Sequence, residues 1–298
     1  IDIRVIGSGR DLLGRGKEKK EKVRRRTVVL FGDPAYDGLP SRSGELLASF
    51  GTERIRPSLR DIDCYSGSEQ INPLPYTGVE VENIEQLLKE SNFEIEGKYL
   101  GTEATEERIK GINSPGILHI ATHGYFCRDV DTMKKGLISG IFGMKKLGYI
   151  GHPLYRSGLL FAGAKKTIME EKESPSGVEA KGSEDGILTS YEVMGLSLDS
   201  TDLVILSACE TGSGYVVNGE GVFGLQRAFK IAGAKTLIMT LWQVDDKATM
   251  QLMRSFYKNW LEKGMDKQSA LKEAQKELWG TSDFKPPLYW GAFVMIGE

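Results

Sequence analysis

A histidine and a cysteine, two residue types that cooperate in covalent catalysis, occupy matching places in this 298-residue sequence. Cys209 closes Leu203-Val-Ile-Leu-Ser-Ala-Cys209, an apolar run that passes through small residues into a glycine-rich turn. His123 ends Gly116-Ile-Leu-His-Ile-Ala-Thr-His-Gly124, an apolar run with the same finish. Short apolar runs bounded by glycine predict strands buried on both faces. Such strands deliver their last side chains to the C-terminal edge of a parallel sheet, where α/β proteins place ligands. If the two are parallel neighbours, with backbones about 4.8 Å apart, imidazole and thiol share one crevice. The imidazole can then take the proton of the thiol. The thiolate is the nucleophile, and a free thiol with a pKa of about 8.5 is mostly protonated at neutral pH. Gly124 lacks a Cβ, so its backbone N–H can approach a substrate carbonyl oxygen and stabilise an oxyanion.

Each residue alone has a plainer explanation, since cysteine is among the most buried residue types. What sets the pair apart is that both stand at strand ends followed by glycine. His119 and His123 are spaced like helical zinc ligands, but in a strand that spacing separates them by about 13 Å. No H-E-x-x-H or C-x-x-C pattern accompanies them, so no metal is expected and His119 reads as a core or supporting histidine. No cofactor is expected either. Gly9–Gly16 is glycine-rich but forms no G-x-x-x-x-G-K-[ST] phosphate loop, and Gly219-Glu-Gly-Val-Phe-Gly224 lies well past the end of the strand a dinucleotide fingerprint would follow.

The elements that must position these residues alternate. Thr27–Asp33 predicts a first central strand. A helix is expected to open on a capping box of Thr77 and Glu80, with Val81, Ile84, Leu87 and Leu88 on one face. Ile95–Leu100 predicts a second strand, Thr102 the cap of a short helix, and the histidine strand follows. This order implies a parallel α/β sheet with right-handed crossovers. Beyond Cys209, a helix over Glu220–Ala232, a strand over Lys235–Trp242, two more helices and a last strand over Tyr289–Ile296 complete the pattern. Asp245 and Asp246 can cap the helix that follows Gln243.

Composition is that of an ordinary globular protein, with 40% hydrophobic and 27% charged residues and a net charge of −2. That charge gives no global pull toward nucleic acid or acidic membranes. Three cysteines without regular spacing argue against a disulfide framework and for the reducing cytosol. No apolar run approaches a membrane span. Residues 1–26 read as a short strand, Ile1–Ile6, and a basic linker from Arg15 to Arg26. The linker has no interleaved aromatic residues, so nucleic acid is expected to bind there only weakly or indirectly. A chain beginning at Ile1 is expected to be a piece of something longer. Two stretches read as insertions: 128–156, which is rich in lysine and glycine, and 165–186, which carries few large apolar side chains and reads as a mobile surface insertion.

Several blocks together resemble the CHAT domains, caspase-like cysteine peptidases of clan CD often fused to tetratricopeptide repeats. They are Leu118-His-Ile-Ala-Thr-His-Gly-Tyr-Phe126, Ser157-Gly-Leu-Leu160, Asp185-Gly-Ile-Leu-Thr189 and Leu206-Ser-Ala-Cys-Glu-Thr-Gly212. Gly219-Glu-Gly-Val222, Ala232-Gly-Ala234, Leu241-Trp-Gln-Val-Asp-Asp246 and Tyr289-Trp-Gly-Ala-Phe293 continue the series. The resemblance covers 27–298 and implies a caspase-like three-layer sandwich, a mainly parallel central sheet flanked by helices. It implies that His123 and Cys209 form a catalytic dyad. Oxyanion contacts come from the N–H groups of Gly124 and Cys209, and peptide bonds are hydrolysed through a thioester. A protein substrate, a regulatory partner or N-terminal repeat region, and a role in prokaryotic defence follow from the same resemblance. In relatives such as separase, an acid just after the tryptophan of the corresponding strand reads a substrate arginine. Here Gln243 holds that place, leaving Asp33, Ser207, Gln243, Asp245 and Asp246 as candidates for the substrate pocket. The histidine and cysteine stand 86 positions apart, against about 50 in caspase signatures, and the two insertions account for the excess. Those insertions either regulate access to the cleft or are passive surface loops. The rival expectation is a catalytically silent CHAT module that binds protein or nucleic acid.

Overall fold

The computed structural model describes residues 26–38, 71–126, 154, 157–173, 184–210 and 220–297. The expected strand 1–6, most of the basic run, Cys64, Cys127, the stretch 128–153 and residues 174–183 lie outside the described residues. In chain order the elements are β1 (Thr27–Pro34), α1 (Pro75–Glu90), β2 (Glu94–Gly101), α2 (Glu106–Lys110), β3 (Ile117–Phe126), β4 (Ser157–Leu160), α3 (Ala164–Glu173) and β5 (Ile187–Thr189). There follow α4 (Ser190–Val193), β6 (Leu203–Glu210), α5 (Glu220–Ile231), β7 (Thr236–Thr240), α6 (Asp246–Leu261), α7 (Lys267–Trp279) and β8 (Phe293–Gly297).

One sheet runs in the order β2-β1-β3-β6-β7-β8. Its first five strands are parallel, and β8 runs antiparallel to β7. β4 pairs antiparallel with the end of β3, and β5 with β4. Helices cover both faces, as the apolar character of the central strands requires. On one face Val28, Leu30 and Ile205 pack against Ile84 of α1 and Leu252 and Phe256 of α6. On the other, Leu118, Ile120, Val204 and Leu206 pack against Phe229 of α5 and Val193 of α4. The parallel α/β sheet expected from the order of elements, and the three-layer sandwich that the CHAT resemblance implies, are therefore present.

Three local expectations are corrected. α1 begins one turn earlier than expected, at Pro75 after an N-cap Leu74 that makes no side-chain cap. Proline suits that first position, where its missing N–H costs no hydrogen bond. Thr77 and Glu80 are thus inside the helix, and both are buried. α2 is capped by Thr105 rather than Thr102, its hydroxyl accepting from the Arg108 N–H. The stretch 165–186 carries structure at both ends. Ala164 and Ile168 of α3 are buried, the Thr167 hydroxyl donates to the Asp185 carbonyl at 2.8 Å, and the chain re-enters the sheet at β5.

Candidate active site

β3 is flanked by β6 along its length, and the backbone register sets His119 against Ile205 and His123 against Cys209. By strand alternation, positions 119 and 123 of β3 lie on one face, as do 205, 207 and 209 of β6. That is the face covered by α1 and α6. Side chains at 208–210 lie outside the described residues; Cys209 is placed by its backbone.

The His123 ring is held from one side. Its Nε2 lies 2.8 Å from the Asn72 carbonyl oxygen. A carbonyl can only accept, so Nε2 carries the hydrogen and Nδ1 keeps its lone pair. Nδ1 is buried and has no hydrogen-bond partner among the described residues. Burial lowers the His123 pKa, and the Asn72 carbonyl opposes this. The ring is therefore a neutral base with its accepting nitrogen bare, in register with a cysteine.

Tyr36, which the sequence did not single out, sets the backbone here. β1 pairs with β3 only through Ile120, and β4 takes over that side at Gly124. In the gap the Tyr36 hydroxyl accepts from the His123 N–H at 3.2 Å and lies 3.0 Å from Thr122 Oγ1. Thr122 Oγ1 in turn donates to the Leu160 carbonyl. That last bond makes Thr122 the acceptor of the tyrosine proton, so a chain runs from Tyr36 through Thr122 to β4. Burial raises the Tyr36 pKa and keeps the hydroxyl protonated. The tyrosine and His123 ring centroids are 5.1 Å apart.

A cleft opens beside His123, lined among others by Thr77 of α1, Ser207 of β6, Gln243, and Asp246 and Thr249 of α6. The structure thus gathers three pocket candidates, Ser207, Gln243 and Asp246, around the histidine. Asp33 and Asp245 are not in the lining. Asp245 caps α6, its carboxylate accepting from the Ala248 N–H at 2.9 Å, while Asp246 accepts from the Tyr76 N–H at 2.8 Å. Asp33 stands at the end of β1 with φ 44, its N–H donating to Thr77 Oγ1 at 2.9 Å. Its charge still reaches Asp246 and helps raise that carboxyl. The close approach of α1 to this strand end depends on Gly32, where an added Cβ would lie 2.7 Å from Val81 Cγ2 and 2.8 Å from the Thr77 carbonyl oxygen. Gly124, the expected oxyanion donor, lies within β3, in register with Leu159 and Glu210.

The family model for the CHAT domain matches residues 2–298. The chain belongs to the CHAT domain family. The CHAT domain is 28% identical over 207 residues to mouse tetratricopeptide repeat protein 28, covering 67% of this chain and 8% of that protein. It is 34% identical over 112 residues to the human protein of the same name, covering 38% of this chain and 4% of that protein. The chain thus spans less than a tenth of the length of these curated relatives. Among solved structures, the Arg-specific cysteine proteinase gingipain R aligns over 92% of this chain and 46% of its own, with 10% identity and a TM-score of 0.43.

Away from the cleft, the CHAT domain carries a second acidic group. Glu106, Glu184 and Glu192 bring carboxylate oxygens within 4.8 Å of one another. Lys110 Nζ sits among them, at 2.5, 2.5 and 3.0 Å. The ammonium supplies the cation such a cluster needs. It also ties α2 to the segment before β5 and to α4 after it. Burial pushes the Glu106 carboxyl up, while Lys110 pulls it down.

Of the site's other contributors, Asn72 acts through its backbone carbonyl, which every residue type possesses and no motif reveals. Thr77 had a signal, its spacing to Glu80, but the spacing pointed to a cap. Thr249 follows Asp246 by three, the spacing that puts two residues of a first helical turn on one side.

Proposed function

We propose that this CHAT domain is a cysteine endopeptidase in which His123 is the base and Cys209 the nucleophile. The observation that carries the reading is the register of β3 and β6, which opposes the two residues, together with the bare Nδ1 of a neutral His123. In the first step the Cys209 thiol gives its proton to Nδ1. The thiolate adds to the scissile carbonyl carbon, and the oxyanion accepts from the N–H groups of Gly124 and Cys209. As the tetrahedral species collapses, the imidazolium returns the proton to the leaving amine and a thioester remains. Water, deprotonated by Nδ1, then attacks the thioester, and its collapse frees the acid and restores the thiol. The Asn72 carbonyl steadies the ring through both transfers, because it accepts from Nε2–H in either protonation state.

We further infer that the peptidase is one module of a larger protein in which a repeat region senses a partner. The support is that the curated relatives are named for tetratricopeptide repeats and are many times longer. Among the described residues no helix is long and apolar enough to cross a membrane. Digestion of a peptide library tests the activity. Cleavage that disappears in Cys209→Ala and in His123→Ala supports the reading. A wild-type chain that cleaves nothing, or cleavage that persists in Cys209→Ala, contradicts it.

A further inference from the structure

His123 is held in place by groups from irregular segments. The Tyr36 hydroxyl accepts from its backbone N–H at 3.2 Å, and the Asn72 carbonyl accepts from its ring Nε2–H at 2.8 Å. Both supports trace to a third, small core, distinct from the two that flank the sheet. Tyr36 belongs to it, together with Leu160 of β4, Ile187 of β5, and Ala164 and Ile168 of α3. Ile71, next to Asn72, packs against the same cluster. Pro73 and Pro75 follow. A proline fixes its own φ and restricts the residue before it, so 71–75 is a stiff segment and the Asn72 carbonyl moves with its ends.

α3 is the part of this core that the second insertion supplies, and its start is seated on the turn that carries Tyr36. The Gly163 N–H donates to the Ala35 carbonyl and the Lys165 N–H to the Tyr36 carbonyl, each at 3.1 Å. These are N–H groups that a helix start leaves without intrahelical partners. Lys165 Nζ lies 2.8 Å from Asp37 Oδ1, but the aspartate side chain is 73% exposed and a pair so placed adds little. The seating therefore depends on burial. Among the described side chains of α3, Ile168 is the large apolar one that is buried, at 6% exposed, while Met169 beside it is 54% exposed.

The plain explanation is that this cluster only completes the fold. Two features argue for more. β1 pairs with β3 no further than Ile120, so at His123 the Tyr36 hydroxyl stands where a strand would. A helix docked through one large side chain also opens more readily than the two main cores, which interlock whole helices with the sheet.

We infer that Ile168 is a positioning residue for His123. Seated in the third core, it keeps α3 against the Tyr36 turn and the cluster closed under Ile71, and so fixes both the backbone and the ring of the base. Unseating α3 frees Tyr36 and the 71–75 segment and loosens the ring, while the two main cores stay closed. The second insertion then acts on the base itself rather than on access to the cleft. Its effect on turnover rests on the peptidase reading, but its effect on the ring does not.

The test uses the full chain with Ile168→Asp, Ile168→Ala or Ile168→Leu, and as a control Leu278→Ala, which truncates a buried side chain of α7 in a main core. Ring nitrogen resonances of His123 are read in a Cys209→Ala background at about pH 8, where the imidazole is neutral. The parent shows a single tautomer, with the hydrogen on Nε2. We expect Ile168→Asp and Ile168→Ala to mix the two tautomers. In chains that keep Cys209 they lower kcat about tenfold or more, with KM within about twofold. Ile168→Leu keeps the parent values, and Leu278→Ala lowers Tm without moving the ring or kcat. If Ile168→Asp does not fold, Ile168→Ala carries the test. A folded Ile168→Ala chain whose ring stays a single tautomer overturns the inference, as does a Leu278→Ala chain whose ring loosens as much. A wild-type chain that cleaves nothing while its ring responds to Ile168 sinks the peptidase alone. Cleavage and a ring that both ignore Ile168 sink this inference alone.

Discussion

β3 carries two histidines on one face, four residues apart, and their surroundings differ in one respect. His119 is 0% exposed and engaged at both nitrogens: Nε2 lies 2.9 Å from Glu80 Oε1, and Nδ1 lies 3.4 Å from the Tyr257 hydroxyl. Burial raises the Tyr257 pKa well above its ordinary value, so that hydroxyl stays a donor. His123 is 7% exposed and, among the described residues, engaged at one nitrogen only. The residue type, the strand and the face are the same. His119 is committed to two buried partners and does not line the cleft, whereas His123 lines it with Nδ1 unpartnered among the described residues. The partners of the ring, rather than its burial, separate the two histidines.

If that distinction holds, the two alanine variants fail in opposite ways. His123→Ala lowers kcat/KM on a cleaved peptide by about a thousandfold and leaves Tm near that of the parent. His119→Ala strands the Glu80 carboxyl and the Tyr257 hydroxyl in the core, costing about 3 kcal/mol of stability in chemical denaturation. Similar losses of activity at equal stability in both variants break the comparison.

A smaller effect sharpens it. Tyr36→Phe removes the acceptor of the His123 N–H and the donor to Thr122, for about 1–2 kcal/mol. Because β3 is then held less firmly at His123, kcat falls while KM changes little. A change confined to Tm would make Tyr36 a packing residue.

The smallest effect is on pH dependence. Burial keeps the folded pKa of His123 below its unfolded value of about 6.5. The folded state then binds fewer protons than the unfolded one between those two values. Its contribution is intact above about pH 6.5 and is lost as pH falls from there through the folded pKa. The acid limb of a kcat/KM profile accordingly lies below 6.5, and a limb above 6.5 contradicts the neutral, buried base.

Much of this arrangement was legible in the residues. Short apolar runs such as Leu203–Leu206, closed by small residues, read as strands covered on both faces, but the glycine after His123 does not end its strand: β3 runs on to Phe126, while β6 ends at Glu210. Other parts were not legible. β5 is three residues long and is a strand because β4 accepts it, which no local propensity encodes. Glu80 had the spacing of a cap, yet the buried His119 claims it, and a long-range partner outweighs a local one. Tyr36 comes from a turn after β1 and Asn72 from the irregular segment before α1, so their positions depend on where β1 and α1 meet the sheet. The dyad was visible because chemistry restricts it to two residue types. Its supports use groups that many residues offer.

The account rests on Nδ1 of His123 taking the proton of Cys209, and alkylation kinetics test that step directly. Limiting iodoacetamide at neutral pH, followed by peptide mass spectrometry, gives the rate at each of Cys64, Cys127 and Cys209. The prediction is that Cys209 in the wild-type chain reacts at least about tenfold faster than the other two. In His123→Ala the excess disappears, while in a folded Tyr36→Phe chain part of it remains. Equal rates at the three cysteines, or a fast Cys209 indifferent to His123→Ala, would contradict the pairing of the two strand ends.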